Sequence, residues 1–328
     1  MKRFLILFLG VPFFVGLLGS MNGPLAAEKY PVKPITFIVA IEAGSDGDIV
    51  ARQLVEKASP VLGQPIVVVN KPGAGSTIGF WQIHDAKPDG YTIGMATVTI
   101  VTSKLQGLFP YDYRDFSLFG TFYRWPPIVV GSTKTKRPFK TMEEVISYAK
   151  AHPGEVSVAT AAVGHSQWIA AMVFKEGLGL NFNMIPQEGA GGITVAQVAG
   201  GHTDLAVLGL LSGKSQLDAG NIRMLAILGT KRIPGRYSNV PILKELGYDA
   251  SWESFGIVMG PPKIPKDISE KIVKAFQVAA NDREYHKFLE SRSANEFYLP
   301  PDQIVSFCDE KRKLVRNIMG KAGILKEK

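Results

Sequence analysis

Cysteine is nearly absent, with Cys308 standing alone in 328 residues. One thiol excludes an intrachain disulfide, so burial of apolar side chains has to hold the chain together. Cys308 also lies far from the N-terminus, which leaves no thiol there for a lipid anchor. Histidine is scarce as well. His84, His152, His202 and His286 show none of the spacings that mark zinc sites. No metal ligand set and no cofactor is predicted. After residue 18 there is no apolar run long enough to cross a membrane. No block of Lys and Arg interleaves with aromatic residues, which argues against nucleic acid as a partner. The net charge of +8 is spread along the chain, where it favours long-range attraction of small anions.

What the sequence does have begins at its N-terminus. Lys2 and Arg3 precede an apolar run from Phe4 to Leu18, and a small-residue exit ends at Pro24-Leu25-Ala26-Ala27. These are the parts of a secretory signal peptide, predicted over residues 1–27 with cleavage after Ala26 or Ala27. The mature protein is then expected to be extracytoplasmic, and long enough for two domains.

From there the pattern is strand, loop, helix, repeated. Ile35–Ala40, Pro65–Val69 and Thr92–Val98 read as buried strands, with helices over 48–62 and towards Ala86. A second unit starts near Ile128. It has a helix over 141–151, strands at 156–160, 184–186, 204–208 and 223–228, and helices from Ser166 and before Ala199. Thr141-Met142-Glu143-Glu144 has the form of a capping box. Ser254–Met259 reads as a return strand, followed by two tail helices over 266–281 and 301–322. Alternating strands and helices predict α/β architecture with parallel sheets.

Three familiar motifs almost occur. Gly73-Ala74-Gly75-Ser76-Thr77-Ile78-Gly79 has Ile78 where a dinucleotide fingerprint needs its third glycine. Gly209-Leu210-Leu211-Ser212-Gly213-Lys214-Ser215 has three residues between its glycines, and a P-loop needs four. Gly164-His165-Ser166-Gln167 is followed by Trp168 where a hydrolase elbow has glycine. What remains is a set of Gly-rich loops joining strand ends to helix starts. Such junctions offer unpaired backbone N–H groups and the positive end of the helix dipole, so they suit anions. Matched loops in two halves of the chain predict a ligand cleft between them.

The order of several segments carries a resemblance. Tyr30-Pro31-Val32-Lys33-Pro34-Ile35 is followed by Asn70-Lys71-Pro72-Gly73-Ala74-Gly75-Ser76-Thr77-Ile78-Gly79 and Lys87-Pro88-Asp89-Gly90-Tyr91-Thr92. Further on come Gly200-Gly201-His202-Thr203-Asp204 and Val240-Pro241-Ile242-Leu243. Together they resemble the substrate-binding proteins of tripartite tricarboxylate transporters over nearly the whole mature chain. The resemblance implies a two-lobed periplasmic binding protein of the type II, Venus-flytrap class, α/β with a mainly parallel sheet in each lobe. The return strand puts 28–127 with 252–328 in lobe 1 and 128–251 in lobe 2. A small organic carboxylate is the implied ligand, integral-membrane permease subunits the implied partners, the periplasm the location and a monomer the state.

Carried over residue by residue, the resemblance places the ligand against Ala43, Gly44, Ser45 and Asp48 in the first loop. In the second loop it selects Gly73, Ala74, Gly75 and Ser76, and in the third-strand segment Thr97. In the second domain it selects Thr160, Ala161, Gly164, His165, Ser166, Glu188 and Gly189. The amides of Ala74, Gly75 and Ser76 are expected to cradle the carboxylate. Glu42 and Glu188 depart from the family pattern. Facing the cleft, they would favour a ligand with one carboxylate and a basic or hydrogen-bond-donating far end. The competing class is a secreted serine hydrolase, with Ser166 as nucleophile and His165 or another histidine as base.

Overall fold

The computed structural model describes residues 30–189 and 191–327. The predicted signal peptide lies outside the described residues. The first half of the chain forms β1 (Ile35–Val39), α1 (Asp46–Leu62), β2 (Ile66–Asn70), α2 (Thr77–His84), β3 (Thr92–Ala96), α3 (Thr99–Leu105) and β4 (Ser117–Trp125). The second unit forms β5 (Ile128–Ser132), α4 (Met142–Ala151), β6 (Ser157–Thr160), α5 (Ser166–Leu178) and β7 (Asn183–Pro186). It continues with α6 (Gly192–Ala199), β8 (Leu205–Leu208), α7 (Leu210–Asp218) and β9 (Ile222–Ile227). β10 (Ser254–Gly260) then leads to α8 (Lys266–Ala280), α9 (Arg283–Ser291) and α10 (Pro301–Lys321). Among the described residues no helix is long and apolar enough to cross a membrane.

Two five-stranded sheets result, ordered β2-β1-β3-β10-β4 and β7-β6-β8-β5-β9. Each is the core of one lobe. The sheets are mainly parallel, as expected, but each is mixed, with one strand reversed and the other four running the same way. In the first sheet β1 pairs in parallel with β2 and β3, but β10 is antiparallel to both β3 and β4. The second sheet repeats this mixture, with β5 antiparallel to β8 and β9. The reason is connectivity. A parallel neighbour needs a crossover within its own sheet, whereas β5 and β10 each enter from the other sheet.

The chain passes between sheets at Pro126-Pro127 and again between β9 and β10. These crossings touch: the Leu228 amide donates to the Pro127 carbonyl at 2.9 Å, and the Trp252 amide to the Leu228 carbonyl at 2.7 Å. α8 packs on α1 and β4, and α10 on α3 and β4, with a further contact to α5 of the second lobe.

Local sequence explains most elements. α1 buries Val50, Ala51, Leu54, Val55, Ala58 and Leu62, one stripe at helical spacing, and ends on Gly63 in the left-handed region. Thr141 caps α4 by accepting from the Glu144 amide at 3.3 Å. The tail holds three helices where two were expected, because α9 is a nine-residue turn of chain capped by Asp282. The last glycine of the near-dinucleotide motif has a packing role. A Cβ on Gly79 would lie 2.6 Å from that of Ala40, so the glycine lets α2 press against the end of β1.

Candidate functional site

The loop after β1 sets up the first wall of a cavity between the lobes. Ser45 takes the cap position of α1 in extended conformation, but its hydroxyl donates to the Glu42 carbonyl at 2.7 Å instead of capping the helix. Among the described residues the amides of Asp46, Gly47 and Asp48 therefore have no acceptor. Asp48 stands behind this loop. It accepts from the Gly44 amide (2.9 Å), from Asn70 Nδ2 (2.9 Å) and from Arg52 Nε (3.1 Å). Burial alone would raise the Asp48 carboxyl, but Arg52, the Gly44 amide and Asn70 outweigh it and hold it below the ordinary carboxylate range. Its work is to shape the loop.

The opposite wall is the start of α5. His165 caps it in extended conformation without a side-chain cap bond, and the amides of Ser166, Gln167 and Trp168 are left without acceptors. Burial depresses the His165 imidazole below its ordinary value, with the charge of Glu42 pulling the other way. Two helix N-termini, one from each lobe, thus meet across one enclosed space. It is lined by Ile41, Ser45, Asp46, Gly47, Thr97, Tyr123, Trp125, His165, Ser166, Gln167 and Ser254. About 30 Å³ of it is open to a water-sized molecule, enough for a water and too little for an organic acid. Trp125 is 6% exposed and stacked on Tyr123 at 4.2 Å, and its indole N–H has no acceptor among the described residues.

Of the sequence-predicted residues, the structure brings Ser45, Thr97, His165 and Ser166 to this cavity. Gly73 and Ala74 are exposed in a turn that does not line it, and Gly75 gives its carbonyl to Ser103 Oγ at 2.8 Å. The Ser76 hydroxyl is buried without a partner among the described residues, also away from the lining. Thr160 is fully buried and donates to the Ala161 carbonyl, while the Gly164 carbonyl accepts from Thr102 Oγ1 of the first lobe at 2.8 Å. Ala43, Gly44 and Glu188 are exposed. Gly189 faces Glu42, whose Oε1 lies 3.4 Å from where its Cβ would stand. Sequence reading passed over Asp46, Gly47, Tyr123, Trp125, Gln167 and Ser254. Only Asp46 left a signal, as a second acid in the first turn of α1.

Ser166 is not set up as a nucleophile. Its hydroxyl is shared with Ser254 Oγ at 2.7 Å and accepts from Trp252 Nε1 at 2.9 Å. No imidazole is bonded to it among the described residues, so the base that activation requires is missing. No group of His, Cys, Asp and Glu among the described residues is arranged to hold a metal ion.

Comparison with known proteins follows the same line. A family model described as the tripartite tricarboxylate transporter family receptor matches residues 50–324. The UPF0065 protein of the gbd 5′ region of Cupriavidus necator is 30% identical over 314 residues, which is 94% of this chain and 93% of that protein. A solved periplasmic transporter is 29% identical and superposes with a TM-score of 0.81, covering 90% of this chain and 99% of its own. An R. palustris protein solved with adipate shares the fold, with a TM-score of 0.82 at 23% identity over 90% of this chain and 99% of its own. The family and its solved neighbours are solute-binding receptors, not enzymes.

Proposed function

This chain belongs to the tripartite tricarboxylate transporter receptor family, and from that premise we propose that it captures a small organic carboxylate between its lobes and hands it to membrane permease subunits. One observation carries the ligand class. The N-termini of α1 and α5 converge on a single enclosed space with their first amides unpaired. Opposed helix dipoles and free N–H groups in a site shielded from solvent stabilise an anion. Trp125 adds a buried donor that has no acceptor of its own.

Ligand entry needs the lobes to part, since the cavity is too small as it stands. The two hydrogen-bonded crossings at Pro127–Leu228 and Leu228–Trp252 are suited to serve as the hinge. We place the lobe boundaries there, with 28–127 and 252–328 on one side and 128–251 on the other. The receptor acts as a monomer in the periplasm, released by cleavage after Ala26 or Ala27.

The test is calorimetry of the mature protein against a panel of mono- and dicarboxylates, adipate and malate included, with Trp125→Phe as the variant. Phenylalanine keeps an aromatic ring to stack on Tyr123 but removes the unpaired donor together with part of a buried indole. Stability should fall by roughly 1–2 kcal/mol from the lost packing, leaving the protein folded, while binding of a carboxylate should weaken by roughly tenfold or more, the worth of a hydrogen bond to a charged group. Equal affinity in both proteins would move the carboxylate away from this cavity.

A further inference from the structure

A third helix N-terminus reaches the same cleft, and the protein itself occupies it. Asp46 is the first residue of α1 in lobe 1, and its carboxylate crosses to lobe 2. There it accepts the Ser212 amide at 2.8 Å and the Ser212 hydroxyl at 3.4 Å. Ser212 is the third residue of α7, and the cap position of that helix is Gly209, which has no side chain to cap it. A Cβ on Gly209 would stand 1.5 Å from Asp46 Oδ2. The carboxylate of lobe 1 therefore fills the space that a capping side chain of lobe 2 would take.

Asp46 is only 4% exposed and lines the cavity beside the free amides of α1 and α5. Of three converging helix ends, two remain open to a ligand and one is spent on a fixed negative charge. No Lys or Arg is among the lining residues to balance a second anionic group. Glu42, four residues earlier on the same loop, brings another carboxylate towards lobe 2, with its Oε2 buried and without a partner among the described residues. A ligand with two carboxylates would set one of them beside Asp46, or expel Asp46 from α7. Like charges brought together in a desolvated site cost several kcal/mol.

We infer that Asp46 sets the charge of the ligand: the cleft takes an organic acid with one carboxylate, whose other polar group is an uncharged or cationic hydrogen-bond donor, and rejects dicarboxylates. This rests on the carboxylate-binding reading above and narrows it. Of the two acids the sequence pointed to, Glu188 is exposed and Glu42 stays near the cleft, and Asp46 is added as the acid that fixes the charge. Discrimination by a built-in repulsive group is a general route to specificity.

The experiment uses the mature chain at pH 7.5 and sets of ligands matched in length from four to six carbons. Each set contains the dicarboxylate (succinate, glutarate or adipate), its monoamide and the corresponding ω-amino acid. Calorimetry on the parent protein should show the monoamide or the amino acid binding at least roughly tenfold more tightly than the dicarboxylate of the same length. In Asp46→Asn, which keeps the shape and an acceptor for Ser212, that preference should shrink towards unity. In Asp46→Ser, which also vacates the α7 terminus, the dicarboxylate should overtake. A parent protein that binds the dicarboxylate equally well overturns the inference. So does an unchanged preference in a variant whose melting curve shows it folded. Should Asp46→Asn fail to fold, Asp46→Ser and the parent's own preference decide the matter. If no member of any set binds the parent, the carboxylate reading itself falls, and the inference with it; binding without an effect of Asp46 removes the inference alone.

Discussion

Alanine at position 209 is expected to act as a wedge between the lobes. Gly209 has φ −80° and ψ 149°, an extended conformation open to any residue, so lobe 2 alone tolerates the change. The obstacle comes from the other lobe. The new Cβ would lie 1.5 Å from Asp46 Oδ2 and 2.7 Å from its Cγ, where real contacts stay beyond 3.0 Å. Oδ2 and Cγ must therefore move away by up to about as much again as the gap that exists. Oδ1 already stands 3.5 Å from the new Cβ, but the group can clear only by swinging as a whole, which distorts or breaks the 2.8 Å bond from the Ser212 amide to Oδ1. Losing one charge-assisted hydrogen bond costs about 1.5–3 kcal/mol. That disfavours the closed arrangement by roughly 10- to 150-fold. Small-angle scattering should report a larger radius of gyration for Gly209→Ala than for the parent, with an unchanged melting temperature for lobe 2. Adding Asp46→Ser removes the group that is struck, so the double variant should close again. If Gly209→Ala alters the scattering equally with Asp46 and with Ser at 46, the effect is local to α7 and the inter-lobe reasoning fails.

Three further outcomes are expected. Burial pushes the Asp46 carboxyl up to about 6 from its ordinary 3.8, against the pull of the Ser212 hydrogen bonds. Raised in the closed protein, it contributes stability that is complete below about pH 4 and is lost as pH rises through 6. Tyr123 from β4, His165 from α5 and Glu42 on its own loop are the other titratable groups around it, and Asp46→Asn leaves all three in place. Denaturant unfolding at pH 7.5 should find the Asn variant more stable by up to about 3 kcal/mol, with the gap closing by pH 4; parallel pH profiles would contradict this. Ser166→Ala strands the Trp252 indole N–H and the Ser254 hydroxyl in the interior, so urea unfolding should register a loss of about 1–3 kcal/mol, and a stability equal to the parent's would show that water replaces the hydroxyl. Arg137 meets Asp204, 5% exposed, with Nη2 at 3.0 Å and Nε at 3.3 Å; Arg137→Met leaves that charge with only its Ser157 partners and should cost about 3 kcal/mol, measured by thermal unfolding.

The parts of the fold that could be read in the sequence are those whose cause is local. β1 and β2 are short β-branched runs, β3 and β6 short apolar ones, and α1 and α4 carry their stripes and caps within one stretch of chain each. β4 escaped because five consecutive residues are buried on both faces and the strand is rich in aromatics, so it shows no alternation of period two. α3, of seven residues, and α7, of nine, offered no stripe long enough to see. The segment read as a failed P-loop, Gly209 to Ser215, turned out to be the start of α7. Its glycine is demanded by Asp46, which lies far away in sequence.

The candidate site divides the same way. The sequence by itself determined that strand-to-helix loops would present amides to an anion, because a helix start leaves its first N–H groups unpaired whatever surrounds it. It also determined the family, through segments whose order survives along the whole chain. Which loops meet was decided only by tertiary structure. Gly73 to Ser76 looked like the better cradle, yet the docking of the lobes puts α1 opposite α5 and leaves that turn outside the cavity. Asp46 and Asp48 are two residues apart in the first turn of α1. One is turned inward to Arg52 and Asn70 and the other outward to α7, because positions two apart in a helix point about 200° apart and only the second lobe defines which direction is the cleft.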